Sequence, residues 1–321
     1  MAYTLFDYAQ LAPSNLVRGV IDVFRRESFI MDHISFPPVK GLQETVTRTA
    51  GLPAVGFRRI GETFGESKAT FEPVTERIFD LGGFIDVDKI LVKADPSQMA
   101  IHTDAFVTAV AYEFNDYFIN GDPTVDVDGF TGLWYRLRNQ LPARQTITPA
   151  ALVDVSPDSA ALAVAFNDLL DGIDSMISVL DGHMATLFLV NRNLWLRLNS
   201  GLRQLNLFAQ DIDQYGRSVM RFGTGGPWIY DLGTQADQAT EIIGNAENLA
   251  GSALLGGTAT SLYAMRTGGN YLSGMQLYGL DVQKIGLLEN GVAYRTVIDW
   301  PVGIKFVNPR SIARLTGTVA A

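Results

Sequence analysis

The three histidines, His33, His102 and His183, are the first residues to question for chemistry. They lie far apart in the chain, none has a second ligand at metal-binding spacing, and no His-Glu-x-x-His occurs. Each reads as a packed or surface histidine. Asp122, Asp126, Asp128 and Gly129 suggest a calcium loop. Aligned as an EF-hand, however, they put Thr124 at position 1 and Tyr135 at position 12, where a glutamate is required. The segment reads instead as a turn followed by a helix cap. Asp86 and Asp88 share one strand face and could hold a cation weakly; a solvated strand face is the simpler reading. Glycines cluster at 223–226, 256–257 and 268–269, but none forms G-x-G-x-x-G or precedes Lys-Ser/Thr. No G-x-S-x-G elbow is present. No catalytic residue, cofactor site or metal site is expected.

Composition narrows the classes further. The chain has 321 residues, 47% of them hydrophobic and 18% charged. That is enough for a sizeable core in about two domains. So little charge with so much apolar surface suggests that part of that surface is covered in an assembly. The net charge of −9 disfavours nucleic-acid binding through a basic surface. The absence of cysteine removes disulfides, thiolate metal sites and cysteine nucleophiles, and fits a reducing compartment. No run approaches the ~18 apolar residues of a membrane span. The opening MAYTLFDYAQ is not a secretory signal.

These residues must be positioned by a mixed set of elements. Residues 1–38 read as an arm. In it Leu16, Val20, Val23 and Phe24 recur at helical spacing after Ser14 and Asn15, so the helix should pack on something outside itself. Phe84–Val92 reads as a strand. A long helix over about 97–119 carries two apolar stripes, Met99, Phe106, Val110, Phe114 and Phe118 in one, Ile101, Ala105, Ala109 and Tyr112 in the other. It stops at Asn120-Gly121-Asp122-Pro123. A shorter helix holds Phe130, Leu133, Trp134 and Leu137 and is capped near Asp126 or Asp128. A helix over 158–181, opened by Ser156-Pro157-Asp158, a strand over 185–190 and a helix over about 191–205 follow. Strand patterns recur at 258–265, 271–278, 292–300 and 303–307, with a last element at 310–315.

Residues 40–80 differ from the rest. Six basic and six acidic side chains fall in these 41 residues, a density well above that of the whole chain. Thr45, Thr47 and Thr49 alternate with Val46 and Arg48, and Gly51, Pro53, Gly56, Gly61 and Gly65 punctuate the segment. It reads as a long β-hairpin, polar on both faces, that cannot stand alone and needs a neighbouring surface.

The order of elements, with several short motifs, resembles the tailed-phage major capsid proteins of the HK97-type fold. Tyr3-Thr-Leu-Phe-Asp-Tyr-Ala9 followed by Leu16-x-x-Gly19-Val-Ile21 is similar to the arm of one capsid subfamily. Gly51-Leu-Pro53-Ala-Val-Gly-Phe-Arg58-Arg59 is similar to its extended loop, and Thr75-Glu76-Arg77 through Asp88 to its strand into the peripheral domain. Phe114 through Asp122, with Phe130-x-Gly-Leu133, resembles the exit of the spine helix, and Leu187-Phe-Leu-Val-Asn191-Arg the central strand of the axial domain. Trp300-x-x-Gly303 and Asn308-Pro-Arg310-Ser-Ile-Ala-Arg314-Leu resemble the C-terminal signature. Each motif alone is weak; their order along nearly the whole chain makes the resemblance specific.

The resemblance implies an α+β, HK97-like fold: an N-terminal arm (1–38), an extended β-hairpin loop (39–76), a peripheral domain with a long spine helix (77–150 and about 271–302), and a mixed α/β axial domain (151–270 and about 303–321). It implies a non-enzymatic subunit that assembles with itself through pentamers and hexamers into an icosahedral shell. The shell encloses double-stranded DNA without sequence-specific binding, in a virion assembled in the host cytoplasm. Separate scaffolding, portal and decoration proteins are the candidate partners; no membrane is involved. Inter-subunit contacts are expected at Phe57, Arg58, Arg59, Lys68, Phe71, Glu72, Glu76 and Arg77, the charged ones by ion pairs to a neighbour, the phenylalanines by burial. Some relatives crosslink a loop lysine; Lys68 is the one lysine near the loop tip, no partner for it is identified, and no crosslink is expected. Two alternatives share parts of this reading: an encapsulin-like compartment shell, and an α/β enzyme with an unrecognised site.

Overall fold

The computed structural model describes residue 23 and residues 27–156, 162–204, 208–212, 218–223, 225–252 and 256–320. The arm motifs from Tyr3 to Ile21 and the opening Pro157-Asp158 of the third expected helix lie outside these residues. The described part begins with a short helix, α1 (Phe29–His33). Two strands follow, β1 (Gln43–Gly51) and β2 (Thr70–Arg77), then β3 (Phe79–Asp88). Next come α2 (Lys89–Ala94), α3 (Gln98–Asn120) and α4 (Leu133–Asn139). Short strands β4 (Thr146–Ile147) and β5 (Val153–Asp154) lead to α5 (Leu162–Val179), β6 (Leu187–Val190) and α6 (Arg192–Gln204). Then come β7 (Phe208–Ile212), β8 (Ser218–Phe222), β9 (Trp228–Asp231) and β10 (Thr260–Met265). The last strands are β11 (Leu272–Gln276), β12 (Asp281–Leu287), β13 (Ala293–Phe306) and β14 (Ile312–Val319).

The described strands form three sheets. β1 and β2 make an antiparallel ribbon. β13 is the backbone of a second sheet, with β3 along one edge and β12 then β11 along the other. The third sheet runs β4–β14–β10–β6–β9–β8–β7, with β5 also paired to β14. β6 shows why this sheet is central. All four of its residues are buried: Leu187 and Leu189 face one core, Phe188 and Val190 the other. A strand covered on both faces has no solvent side and so carries an unbroken apolar run. α5 and α6 cover the Phe188 face; α1 and α3 are in the core on the Leu187 face.

Several expectations need correction. Phe84–Val92 is not one strand. β3 ends at Asp88, whose carboxylate accepts the Ile90 N–H at 2.7 Å and opens α2 as its N-cap. Asp86, on the same strand, is held by Arg295 through two bonds of 2.6 and 2.7 Å, so an arginine already occupies the place imagined for a cation. The second stripe of α3 is not a core face, since Ile101, Ala105 and Ala109 are exposed. The buried face runs through Thr103, Val107, Val110, Ala111, Phe114 and Phe118 instead. α4 starts after Gly132 rather than at an aspartate cap; Asp126 accepts from the Asp128 N–H and from Tyr117.

The two tail strands around Trp300 are a single strand of 14 residues, β13, that runs through Pro301. Proline is tolerated because the Pro301 carbonyl accepts from Leu277 N–H, in the stretch where the neighbour changes from β11 to β12. The side lacking an N–H donor thus faces a connection and not a ladder. The end of the arm also packs inward: Ile30, Met31, Ile34 and Phe36 are fully buried, and Val23, from the helix expected to pack elsewhere, touches the same core. Phe36 lies against β11, where a Cβ on Gly274 would come within 2.1 Å of its ring, so only glycine leaves room.

Candidate assembly surface

The β1–β2 ribbon divides into a root and a tip of opposite character. In the ribbon Glu44, Val46 and Arg48 share a face with Val74 and Glu76. That face is not wholly polar and does not need an outside partner at its root. Val46, Arg48 and Glu76 are buried, and Lys305 on β13 bonds Glu44 at 2.9 Å. Glu76 is the centre of the root. Arg136 on α4 grips its two carboxylate oxygens at 2.6 and 2.8 Å, and Arg48 reaches Oε1 at 3.3 Å. Arg48 also donates to the Phe306 carbonyl at 3.0 and 2.9 Å. The Arg136 guanidinium lies 4.6 Å from the centre of the Phe306 ring. Burial pushes the Arg48 guanidinium below its usual range, and Glu76 works against that shift. Three elements, ribbon, α4 and β13, are thereby pinned at one point.

The tip is the reverse. Residues 52–68 are all exposed, and the segment carries Leu52, Val55, Phe57, Ile60 and Phe64, with Phe57 and Ile60 wholly open to solvent. It has its own internal shape. The Glu62 N–H donates to Arg59 O at 3.1 Å across a turn that needs Gly61 at φ +96°. Arg58 donates to the Glu62 carbonyl at 2.9 Å and sits 5.2 Å from the Phe64 ring. Ser67 Oγ donates to Ala54 O at 2.8 Å. An ordered loop that presents this much apolar side chain is a surface looking for cover.

The residues singled out from the sequence therefore separate. Phe57, Arg58, Arg59 and Lys68 lie at the exposed tip, and Arg59 and Lys68 make no side-chain bond among the described residues. Phe71, Glu72 and Arg77 are exposed along β2. Glu76 is corrected: it is buried and its charge is matched inside the chain, so it cannot be offered to a neighbour. Sequence reasoning missed Arg48 and Arg136. Both had a signal: Arg48 shares Val46's strand face, and Arg136 shares Leu133's helix face, so each was a charge on an apolar side. It also missed Leu52, Val55, Ile60 and Phe64, hidden by the attention given to the charges.

Beside α3 lies an open cleft of about 710 Å³, between the helix's C-terminal half and residues 235–247. Its acids include Glu113, Asp116, Asp126 and Glu241, and among the described residues its one base is Arg138. Among the described residues, no histidine, lysine or serine lines it. Burial first, then the charges of Asp116 and Asp126, push the Glu113 carboxyl above its usual range. A carboxyl raised in the folded state costs stability as pH climbs from its unfolded pKa, about 4.3, through its folded value. Glu113→Gln should therefore raise the melting temperature at pH 7, with the gain fading toward pH 4. A gain equal at both pH values would refute the charge origin.

Known proteins were compared with the chain. Residues 13–155, just under half of it, match the family model described as major capsid protein GP7. No curated protein matches. Among solved structures, the encapsulin of the holo-SrpI complex from Synechococcus elongatus PCC 7942 superposes with a TM-score of 0.61, at 11% identity, over 91% of this chain and 88% of that one. The capsid of a native GTA particle gives 0.56 at 14% identity, over 93% and 90%. Mycobacterium phage Bobi gives 0.55 at 12%, over 92% and 91%. The fold is the HK97-type capsid fold, and the family likeness carried by the motifs agrees with the matched model.

Proposed function

We propose that this chain is the major capsid protein of a tailed double-stranded-DNA phage, a structural subunit that assembles through pentamers and hexamers into an icosahedral shell. The observation that carries the reading is the hairpin: its root is locked into the chain's own body while its tip holds five large apolar side chains in the open. Nothing among the described residues covers them, and in a capsid-fold protein the available cover is a neighbouring copy. In this reading 39–76 is the loop laid across a neighbour, 77–150 with about 271–302 the peripheral domain, and 151–270 with about 303–321 the axial domain. The virion is then the site of action, after assembly in the host cytoplasm, and any scaffolding, portal or decoration proteins would act on the completed lattice or its precursor. Phe57, Ile60 and Phe71 are the apolar anchors, with Arg59, Lys68, Glu72 and Arg77 as the polar margin.

Electron microscopy and size exclusion of the full chain test this, beside Phe57→Ser/Ile60→Ser. The parent should form closed shells or capsomer rings; the variant should stay a folded small species, because both substituted side chains already face solvent in the single subunit. Parent and variant that share one small discrete size would sink the proposal. The likeness to an encapsulin favours one second reading, a compartment shell. Shells that co-purify with protein cargo and no DNA would support that reading over a virion.

A further inference from the structure

The two helices on the outer face of the third sheet carry opposite charge. α5 contains Asp168, Asp171 and Asp174 and no basic residue. α6 contains Arg192, Arg197 and Arg203 and no acidic one. Both helices bury one face, Phe166, Leu169, Ile173 and Met176 on α5 and Leu194, Leu198 and Leu202 on α6. At 100° per residue the three aspartates of α5, and Arg192 and Arg203 of α6, fall on the opposite faces, away from the sheet. α5 lies over β14, β4 and β5, and α6 over β9 and β7, so the acidic and basic stripes stand above opposite ends of one sheet.

Among the described residues the acidic stripe is unmatched at home, and the basic one is matched only in part. Asp168, Asp171 and Asp174 make no hydrogen bond or ion pair among the described residues. Arg197 has a buried Nε without a partner. Arg192 reaches Asp231 only at 3.5 Å with its side chain two-thirds exposed, and Arg203 Nε donates to the Asn199 carbonyl of its own helix. Each stripe also has one exposed large apolar residue, Val164 on α5 and Leu196 on α6.

We propose that these stripes are the two halves of one contact between copies of this chain, with α5 of one copy seated on α6 of the next. Charge selects this pairing. Acid on acid and base on base repel, so among like copies only the α5-to-α6 arrangement is attractive, and every copy brings both halves. Val164 and Leu196 supply the apolar contact inside the polar frame. Nucleic acid is a poorer occupant of α6, because the same outer face carries the acidic α5 and the chain is negative overall. The inference rests on the shell reading and specifies a contact in it that does not involve the hairpin.

The test uses the full chain and sedimentation velocity at about 50 and 500 mM salt, where screening lengths differ roughly threefold. Three variants are compared with the parent: Asp168→Lys/Asp171→Lys/Asp174→Lys, then Arg192→Glu/Arg203→Glu, then all five changes together. All five positions are exposed, so circular dichroism should match the parent. Each charge set alone should weaken self-association at low salt by about a hundredfold, and the five together should recover it at least in part. Variants that associate like the parent would overturn this contact and leave the shell reading standing. A parent that does not self-associate at all would remove both. An arginine variant that keeps its association but sheds bound nucleic acid would reassign α6 to that ligand.

Discussion

Glu76→Ala should lower the free energy of unfolding by about 3–5 kcal/mol, the cost of leaving buried charge without its partner. Two guanidinium groups are stranded at once, those of Arg48 and Arg136, and their remaining acceptors are main-chain carbonyls. In urea this is a midpoint shift of roughly 1–2 M at a slope of about 3 kcal/mol/M, the steep end that a chain of this size calls for. Glu76→Gln should recover only part of the loss, since an amide can accept from one arginine but carries no charge. Replacing all three residues by apolar ones of similar size should cost less than Glu76→Ala, because no charge is then left buried. A loss under about 1 kcal/mol for Glu76→Ala would mean that the root is wet in solution. The consequence for assembly is separate from stability: the variant should release the ribbon from β13, so the tip would be presented at no fixed angle.

Trp300→Ala is the second large effect. Trp300 is fully buried in β13 between Phe36, at 5.2 Å between ring centres, and Phe114, at 5.4 Å. Its Nε1–H donates to Gln276 Oε1 at 3.0 Å. Truncating a large buried aromatic costs about 3–5 kcal/mol through lost transfer energy and the cavity left behind. The removed ring is also the seat of Phe36, so amide exchange over residues 30–36 should accelerate along with global unfolding. Trp300→Phe should keep that seat and lose only the hydrogen bond, at about 1–3 kcal/mol for the buried acceptor left alone. Unchanged exchange over 30–36 in Trp300→Ala would show that the arm's end is held by something other than this aromatic stack.

What could be read from sequence depended on whether one segment contained its own reason. α3 was legible because apolar spacing, Pro96-Ser97 before it and Asn-Gly-Asp-Pro after it agree. β6 was legible because a short unbroken apolar run between two helices fits a strand buried on both faces. β7 to β9 and β12 were not seen: each pairs with a strand close to it in the chain, but their short stretches mix charged and polar residues with apolar ones and show no sustained alternation, so pairing and not local propensity makes them strands. Pro301 split β13 for the same reason, since tolerance depends on which neighbour faces its nitrogen. At the site, Phe57 and Arg58 were legible as loop residues. The role of Glu76 was not, because Arg136, 60 positions later, decides it.

The route of the chain through its two large sheets has a bearing on how the protein is made. β13 is the strand to which β3, β11 and β12 all attach, and β14 lies between β10 and the pair β4 and β5. Every earlier strand of the β13 sheet thus waits for residues 293–306, and β4 and β5 wait for 312–319. A ribosome that has delivered only the first 290 residues holds a chain in which neither sheet can close. Completion of both sheets thereby depends on residues 293–319, and prematurely terminated chains lack the strands that complete them. Quality control of the subunit is in this way built into the order of synthesis, ahead of any contact with another copy.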